Sequence, residues 1–316
     1  MSNSTQIDTL LEQNKPYSDP TFLHNHPPMY IHYKSQHSVT NRSYHFQQQL
    51  RHLTPSSLLA HLQSLTKWFN LTFLDLHGLS IEWIDSETFQ NFTQLKTLIL
   101  SANHLSYLSE KIFYPIRTQI LHLNIQRNHF HTLNSANFLH YLKRLKILDF
   151  STNYLKEISI TNFVGIRRLE SLILRKNQIQ HLPYAVFSRM TKLSSIDLSD
   201  NQIFIIDEGA FKGLKNLKVL ILMNNPLGKM SIKQSLFYPL INLEFLDLEN
   251  CQLYNLPSYL FSKNLNLRSI KLRRNNFQIE LIEVKSKSGL TVSSSTAITV
   301  NFDKHNLGNS SHSKIL

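Results

Sequence analysis

Hydrophobic and polar residues alternate along this chain in a unit of about 24 residues that recurs many times. In one unit, 193–216 (LSSIDLSDNQIFIIDEGAFKGLKN), Ile196 and Leu198 lie between polar residues, which predicts a short strand with one buried side. Asn201 then turns the chain, and the second half returns along another face and points Phe211 inward. A single coil of this kind cannot bury its apolar side chains, so the pattern predicts stacked copies.

The copies are present and keep one register. Each coil begins with an aliphatic residue, and successive beginnings are 24, 25, 25, 24, 24, 24, 26 and 24 residues apart: Leu71, Leu95, Ile120, Leu145, Leu169, Leu193, Leu217, Leu243 and Leu267. The ninth position is asparagine in most coils: Asn103, Asn128, Asn153, Asn177, Asn201, Asn225 and Asn275. A phenylalanine recurs in the second half: Phe89, Phe113, Phe138, Phe163, Phe187, Phe211, Phe237 and Phe261. Positions within a coil are counted below from its first residue.

This LxxLxLxxNxL pattern, in a unit of about 24 residues, resembles the leucine-rich repeat family. The resemblance covers residues 71–277. It implies an α/β solenoid in the form of a curved horseshoe. A parallel sheet is expected on the concave side of this horseshoe, and irregular or helical segments on the convex side.

Two columns of side chains are expected to hold the coils together. The asparagines should bond backbone groups of adjacent turns, because a buried polar group without a partner costs about 1–3 kcal/mol. The phenylalanines should form a buried spine, in which one truncation to alanine costs roughly 3–5 kcal/mol. Leu79 replaces the asparagine in the first coil and Cys251 replaces it in the eighth. The ladder is therefore expected to begin one coil late and to bond more weakly at Cys251.

The two ends of the chain lack the repeat. The predicted order is a disordered N-terminal arm (1–44), a degenerate N-terminal capping coil with an amphipathic helix (45–70), nine repeats (71–280) and a mostly disordered C-terminal tail (281–316). Thr54 is the predicted N-cap of the capping helix, and Pro55 is its first residue. The tail is expected to add at most one strand over the last coil.

The chain is strongly basic. Its 316 residues include 33 Lys and Arg against 21 Asp and Glu, and the net charge of +12 favours contact with anionic partners without specifying one. The single cysteine excludes intrachain disulfides. It also excludes the cysteine-rich end caps that secreted proteins with this repeat usually carry.

The sequence leaves the cellular compartment open. The first 20 residues include Asp8 and Glu12 and no apolar run of signal-peptide length. No later run reaches the roughly 18 apolar residues that a membrane span needs. The family resemblance favours an extracellular or cell-surface location instead. The N-x-[ST] contexts, which matter only in the secretory pathway, are at Asn3, Asn41, Asn70, Asn91 and Asn309.

Candidate catalytic and metal-binding residues are few. The sequence contains no GxGxxG, P-loop, HExxH or GxSxG motif. Cys251 is a candidate nucleophile, but its place in the asparagine column predicts that it points inward. His24 and His26, with His32 and His37 nearby, are candidate metal ligands, but no cysteine or carboxylate completes the set. We therefore predict a protein without enzymatic activity, bound metal, cofactor or small-molecule substrate.

The strand side of the coils is the remaining candidate surface. Positions 3 and 5 should project there, where position 5 carries an interrupted acidic row and position 3 adds aromatic and apolar residues. This combination is typical of protein-binding patches. The alternative is that these side chains only pack against neighbouring strands. The residues predicted to bind a protein partner are Phe73, Asp75, His122, Asp149, Asp197, Phe245 and Asp247.

An anionic polymer, either a sulfated glycan or a nucleic acid, is the alternative partner. Its predicted site is the basic cluster of the last strand: Arg268, Lys271, Arg273 and Arg274. Asp247 and Glu249 lie one strand away, and no aromatic stacking platform accompanies the cluster. Other cations immediately before strands are interpreted as solvated ends near free carbonyls: Lys143, Arg144, Arg167, Arg168 and Lys192.

Overall fold

A computed structural model describes residues 51–62, 70–133, 137–257, 259–277, 280–284, 291–293, 298–302 and 313–315. The arm predicted for residues 1–44 lies outside the described residues, and so do its histidines. Residues 45–50 and 63–69 of the predicted capping coil are also outside them.

The described strands, in chain order, are β1 (His52–Leu53), β2 (Phe73–Asp75), β3 (Trp83–Ile84), β4 (Thr97–Ile99), β5 (His122–Asn124), β6 (Ile147–Asp149), β7 (Ser171–Ile173), β8 (His181–Leu182), β9 (Ser195–Asp197), β10 (Ile205–Ile206), β11 (Val219–Ile221), β12 (Phe245–Asp247), β13 (Ser269–Lys271), β14 (Glu280–Val284), β15 (Thr291–Ser293), β16 (Ile298–Phe302) and β17 (Ser313–Ile315). An α-helix, α1, spans Pro55–Leu62. Short 3-10 segments span Asn137–Tyr141, Ile160–Phe163 and Leu227–Lys229.

A single parallel sheet of ten strands runs through the coils. Its spatial order is β2, β4, β5, β6, β7, β9, β11, β12, β13 and β15, so the coils stack in the order in which they occur in the chain. Neighbouring strands pair position for position: Leu148 lies opposite Leu172, and Leu172 lies opposite Ile196. This register places equivalent side chains of successive coils side by side.

Positions 1, 4 and 6 of the coils form one continuous core. Leu193, Ile196 and Leu198 have no exposed surface, and the same positions of the other coils join them in one cluster. Alternation in a strand puts position 4 inward and positions 3 and 5 outward, so the sequence pattern decides which face is buried. The predicted solenoid with a shared interior is confirmed.

The asparagine ladder forms as predicted. Oδ1 of Asn103 accepts the N–H groups of Leu79 and Ile81 at 3.0 and 2.9 Å. Its Nδ2 donates to the carbonyls of Leu76 and Leu100 at 2.8 and 3.0 Å. One amide thus bonds backbone groups of its own coil and of the preceding coil. The ladder begins here, one coil late, because the first coil carries Leu79.

The ladder changes at Cys251, where the thiol donates to the Leu222 carbonyl at 3.2 Å. A thiol is a weak acceptor. The Asn225 N–H of the preceding coil bonds the sulfur, and the Leu227 N–H donates instead to the Asn225 carbonyl at 2.8 Å. A local turn therefore replaces the missing amide.

The phenylalanine column forms the predicted spine. All eight rings are buried, with exposed fractions of 1% or less. Ring centroids are 6.5 Å apart for Phe187 and Phe211, 6.0 Å for Phe211 and Phe237, and 5.8 Å for Phe237 and Phe261. The spine links the second halves of successive coils, while the sheet links the first halves.

Position 8 has a left-handed backbone in every coil. The torsion φ is +69° at Gly78 but also +54° at Ala102, +52° at Thr152 and +58° at Asn224. This conformation turns the chain from the strand into the return segment. A residue with a Cβ atom pays roughly 1–2 kcal/mol for it, and the sheet and the asparagine ladder on either side hold the backbone in place.

The return segments are irregular. They consist mainly of turns, the 3-10 segments and the two-residue strand pairs β1–β3 and β8–β10. Within the described parts of the repeats no α-helix occurs. The irregular form expected for the side opposite the sheet is therefore present, and the helical form is not seen.

Additional structure surrounds both ends of the repeats. At the N-terminus, α1 begins at Pro55 as predicted, and Thr54 and Ser57 each accept the backbone N–H of the other at 3.1 and 2.9 Å. This reciprocal pair is a capping box. At the C-terminus, β15 adds a tenth strand to the main sheet, while β14, β16 and β17 form a second sheet. The described part of the 281–316 tail therefore contains strands, where the composition predicts mostly disorder.

Candidate interaction surface

The strand face is the side of the main sheet that bears positions 3 and 5 of the coils. Among the residues predicted to bind a partner there, Phe73, His122 and Asp197 are partly exposed. The others are buried, with exposed fractions of 8% at Asp75, 6% at Asp149, 2% at Phe245 and 4% at Asp247. The structure therefore brings the predicted residues onto one face but leaves a minority of them accessible.

The buried aspartates close the ends of their strands. Oδ1 of Asp149 accepts the N–H of Ser151 at 3.0 Å and its hydroxyl at 2.6 Å. Asp75 and Asp247 accept the N–H groups of His77 and Glu249, both at 2.9 Å. Burial raises the pKa of the Asp149 carboxyl, and the bonds from Ser151 oppose this shift. Much of the acidic row thus has an intramolecular role.

The accessible centre of the strand face is a group of three residues at position 5. Asp197 of β9 is paired in register with Ile173 of β7 on one side and with Ile221 of β11 on the other. All three are half-buried. Sequence reasoning selected Asp197 and passed over the two isoleucines, although their recurrence at position 5 of alternate coils was the signal that could have found them.

The Asp197 carboxylate is held in place from within its own coil. It accepts the Ser199 N–H at 2.9 Å and the Ser199 hydroxyl at 2.6 Å. Burial raises the pKa of this carboxyl, the Ser199 bonds and the positive charge of Arg175 lower it, and the charge of Asp200 raises it. The result is a carboxylate with a fixed orientation between two aliphatic side chains.

The basic cluster of the last strand is largely neutralised by carboxylates. The ion pairs are Arg268–Glu244 at 3.8 Å, Lys271–Asp247 at 3.7 Å and Arg274–Glu249 at 3.6 Å. Lys271 also lies 5.2 Å from the centre of the Phe245 ring. Arg273 is exposed and makes no ion pair with any described residue. Three of the four cations of this predicted anion site therefore have a carboxylate beside them, and Glu244 is shared with Lys218 at 3.0 Å.

The candidate nucleophile Cys251 is inaccessible. Cys251 is fully buried, and burial raises the pKa of its thiol to about 12, so the thiolate needed for nucleophilic attack does not form near neutral pH. No group of three or more His, Cys, Asp or Glu within the described ranges is arranged to hold a metal ion. Across the same ranges, every helix is too short or too polar to cross a bilayer.

Family models of repeat proteins match most of the chain. A model described as "Leucine rich repeat" matches residues 118–179 and 167–227. A "BspA type Leucine rich repeat region (6 copies)" model matches residues 34–143, and a further "Leucine Rich Repeat" model matches residues 242–264.

Individual relatives match smaller shares of their own length. The CD180 antigen of Mus musculus is 31% identical over 121 residues, which are 38% of this chain and 18% of that protein. An LRR protein of Leptospira interrogans is 30% identical, with a TM-score of 0.58 over 66% of this chain and 50% of that chain. The TLR13 structure in a TLR13–ssRNA13 complex is 18% identical, with a TM-score of 0.57 over 82% of this chain and 46% of that chain. This chain thus spans half or less of each relative, and the likeness to TLR13 concerns the fold alone.

Proposed function

The chain belongs to the leucine-rich repeat family, and we propose from this premise that it is a non-catalytic interaction module that holds a protein partner on its strand face. We further propose that the solenoid curves into a horseshoe with the strands on the inner side, which makes the strand face concave. A concave sheet lets one partner contact several coils at once.

The observation that carries this proposal is the group Ile173, Asp197 and Ile221. Interface hot spots combine apolar area with a polar group that is shielded from water. Here two half-buried isoleucines flank a carboxylate whose orientation is fixed by Ser199. The remaining aspartates of the row are buried, with exposed fractions of 8% or less.

The chemistry of this group favours a basic side chain of the partner. A lysine or arginine can lay its aliphatic stem against Ile173 and Ile221 and bring its charged end to Asp197. The ion pair formed there would be shielded from water by the isoleucines, and charge interactions are stronger in such surroundings than on an open surface. Burial makes the charged form of the Asp197 carboxylate less stable, and the positive charge of the partner would offset this effect.

The experiment compares two aspartates that differ in exposure. Asp149 and Asp197 make the same pair of bonds to the serine two residues later, but only Asp197 is accessible. We expect Asp197→Asn to weaken partner binding about tenfold or more, because it removes the charge and keeps the shape. Asp149→Asn serves as the matched control and should leave binding unchanged.

The partner is captured with a photo-crosslinking amino acid placed at Ile221, and separately at Ile160, which is exposed on the return segments. The proposal requires a protein that is crosslinked from Ile221, that is retained in the Asp149→Asn background and that is lost with Asp197→Asn. Capture from Ile160 alone, or equal capture in both aspartate variants, would show that the strand face is not the binding site. Circular dichroism of each variant checks that the fold is intact.

A further inference from the structure

A row of positive charges lies along one edge of the solenoid, where each coil ends and the next strand begins. Cations occupy one or both of the last two positions in four consecutive coils. We name this set the basic edge: Lys143, Arg144, Arg167, Arg168, Lys192 and Lys215, all of which are exposed.

Hydrogen bonds show that this edge is continuous from coil to coil. Arg144 donates to the Thr118 carbonyl of the preceding coil at 3.1 Å. Asn216 donates to the Thr191 carbonyl at 2.7 Å, and Asn242 donates to the Lys215 carbonyl at 2.8 Å. Backbone bonds two residues beyond the cations join all four coils: Lys146 N–H donates to the Leu121 carbonyl and Glu170 N–H to the Lys146 carbonyl, both at 2.8 Å, and Ser194 N–H donates to the Glu170 carbonyl at 2.9 Å. The cations therefore form a row and are not scattered over the surface.

The charge of the basic edge is not compensated. None of its six cations makes an ion pair within the part of the chain that the structure describes. The nearby carboxylates of Glu170 and Glu244 are already paired with Lys146 and Lys218, each at 3.0 Å. The last strand differs, since three of its four cations have carboxylate partners. An anion therefore meets more uncompensated positive charge at the basic edge than at the last strand.

The spacing of the row fits a linear polyanion. Coils are about 4.8 Å apart at the sheet, so the four coils of the basic edge span roughly 14 Å. Six cations over that length give about one charge per 2–3 Å, which is comparable with the charge density of a polyelectrolyte such as DNA. Six cations held in a row at this density repel one another, and a polyanion lying along the row would relieve that repulsion.

The surroundings of the row favour a sulfated polysaccharide over a nucleic acid. Binding of a single nucleic acid strand relies on aromatic rings that stack on bases. The exposed Tyr154 and Tyr184 of these coils lie elsewhere in the unit, at positions 10 and 16. Tyr141 lies near Lys143, but it is half-buried and packs edge-on against Tyr114, with ring centroids 5.5 Å apart. A duplex has two backbones that wind around its axis. Each backbone would therefore stay in contact with a straight, narrow row of cations for only a few phosphates. Exposed hydroxyl and amide groups, at Thr191 and Asn216, accompany the cations and can bond sugar hydroxyls.

We infer that the basic edge binds a linear sulfated polysaccharide lying along the solenoid, on a surface separate from the strand face. The cations interpreted from sequence as solvated ends are thereby assigned a ligand. The last-strand cluster is not needed for this binding.

The test uses a heparin oligosaccharide as the probe and two variants with equal loss of charge. One neutralises the basic edge by Arg167→Gln, Arg168→Gln, Lys192→Gln and Lys215→Gln. If all four cations contact sulfates, the slope of log K against log salt concentration should fall by about three, and binding in 0.15 M salt should weaken by roughly two orders of magnitude.

The control variant changes four exposed cations on the opposite edge, where the chain leaves the strands: Arg127→Gln, Lys156→Gln, Lys176→Gln and Lys229→Gln. None of these four makes an ion pair with a described residue. We expect binding of this variant to stay within about fivefold of the original chain, since the long-range effect of net charge is screened at this salt concentration. Equal weakening of both variants would overturn the inference, because it would show that only net charge matters.

Two further measurements complete the design. Single-stranded or duplex nucleic acid of equal charge that binds the basic edge more tightly than heparin would overturn the assignment to a polysaccharide. If the fourfold variant does not fold, the double variant Arg167→Gln, Lys192→Gln should weaken heparin binding about tenfold, and an unchanged affinity would count against the site. Asp197→Asn should keep full heparin affinity, which separates this inference from the proposal for the strand face.

Discussion

Replacing Asn177 with alanine tests how the asparagine ladder stabilises the solenoid. Its Oδ1 accepts the Leu155 N–H at 3.0 Å, and its Nδ2 donates to the Phe150 and Leu174 carbonyls, both at 3.0 Å. The three backbone groups do not depend on Asn177 equally. The side chains of neighbouring asparagines also donate to both carbonyls, at 3.2 and 3.0 Å.

The Leu155 N–H is therefore the one group that the substitution leaves without a partner. A buried donor without an acceptor costs about 1–3 kcal/mol. The two weakened carbonyls and the space left by the amide add roughly 1 kcal/mol more. We expect Asn177→Ala to lower the free energy of unfolding by about 2–4 kcal/mol, which a shift of the urea midpoint at constant slope would report.

Cys251→Ala is the matched substitution at the same position of another coil. The Leu227 N–H does not depend on the thiol, because it already donates to the Asn225 carbonyl, and the bond from the Asn225 N–H to the sulfur is weak. The Leu222 carbonyl, which accepts from the thiol, also accepts the Asn225 amide at 2.8 Å. We therefore expect a loss of only about 1 kcal/mol, from the buried sulfur. If both substitutions shift the urea midpoint equally, the explanation through the unpaired Leu155 N–H is wrong.

Three other tests of the structure use single substitutions, one of them with a matched control. Burial in the folded state raises the pKa of Asp149, so this group favours the fold most at low pH and opposes it as pH rises through the folded-state pKa. Asp149→Asn should therefore raise the melting temperature at pH 7. A gain in melting temperature that persists at pH 3 would contradict this cause. Thr152→Asn should stabilise the chain by about 1 kcal/mol, because a β-branched residue is strained at φ +52° and asparagine tolerates this left-handed conformation. An unchanged urea midpoint would argue against strain at this position. A Cβ atom at Gly228 would overlap the Gln252 carbonyl, so Gly228→Ala should lower the free energy of unfolding by about 3 kcal/mol in the same assay. The control, Gly78→Ala, adds a Cβ atom in open space and should lower it by only about 1–2 kcal/mol.

The fold was predictable because its information is periodic and local. Ile196 and Leu198 alternate with polar neighbours, Asn201 follows at a constant distance, and Phe211 recurs in the second half. Repetition of such a unit with one register leaves stacking as the only way to bury these side chains. Pro55 after Thr54 was likewise sufficient to place the start of the capping helix.

The accessible surface depended on contacts between coils. Asp149 and Asp197 have the same local pattern, an aspartate followed two residues later by serine, yet one is buried and the other accessible. Position 3 of the same strand is the larger Ile147 in the first case and the smaller Ser195 in the second. A large neighbour on the same face covers more of a side chain, and the pattern of one coil does not weigh such neighbours.

From its sequence alone, this protein was determined to be a stack of coils with an aliphatic core, an asparagine ladder and a phenylalanine spine, since burial follows the repeat. The tertiary structure decided which surface charges remain available. The last strand was expected to be the basic surface, but it lies beside carboxylates that pair with it, whereas Arg167 and Lys192, in separate coils, come together along one edge. Stacking brings residues about 24 positions apart to within about 5 Å of each other at the sheet, and only that lateral spacing determines which charges pair and which face solvent.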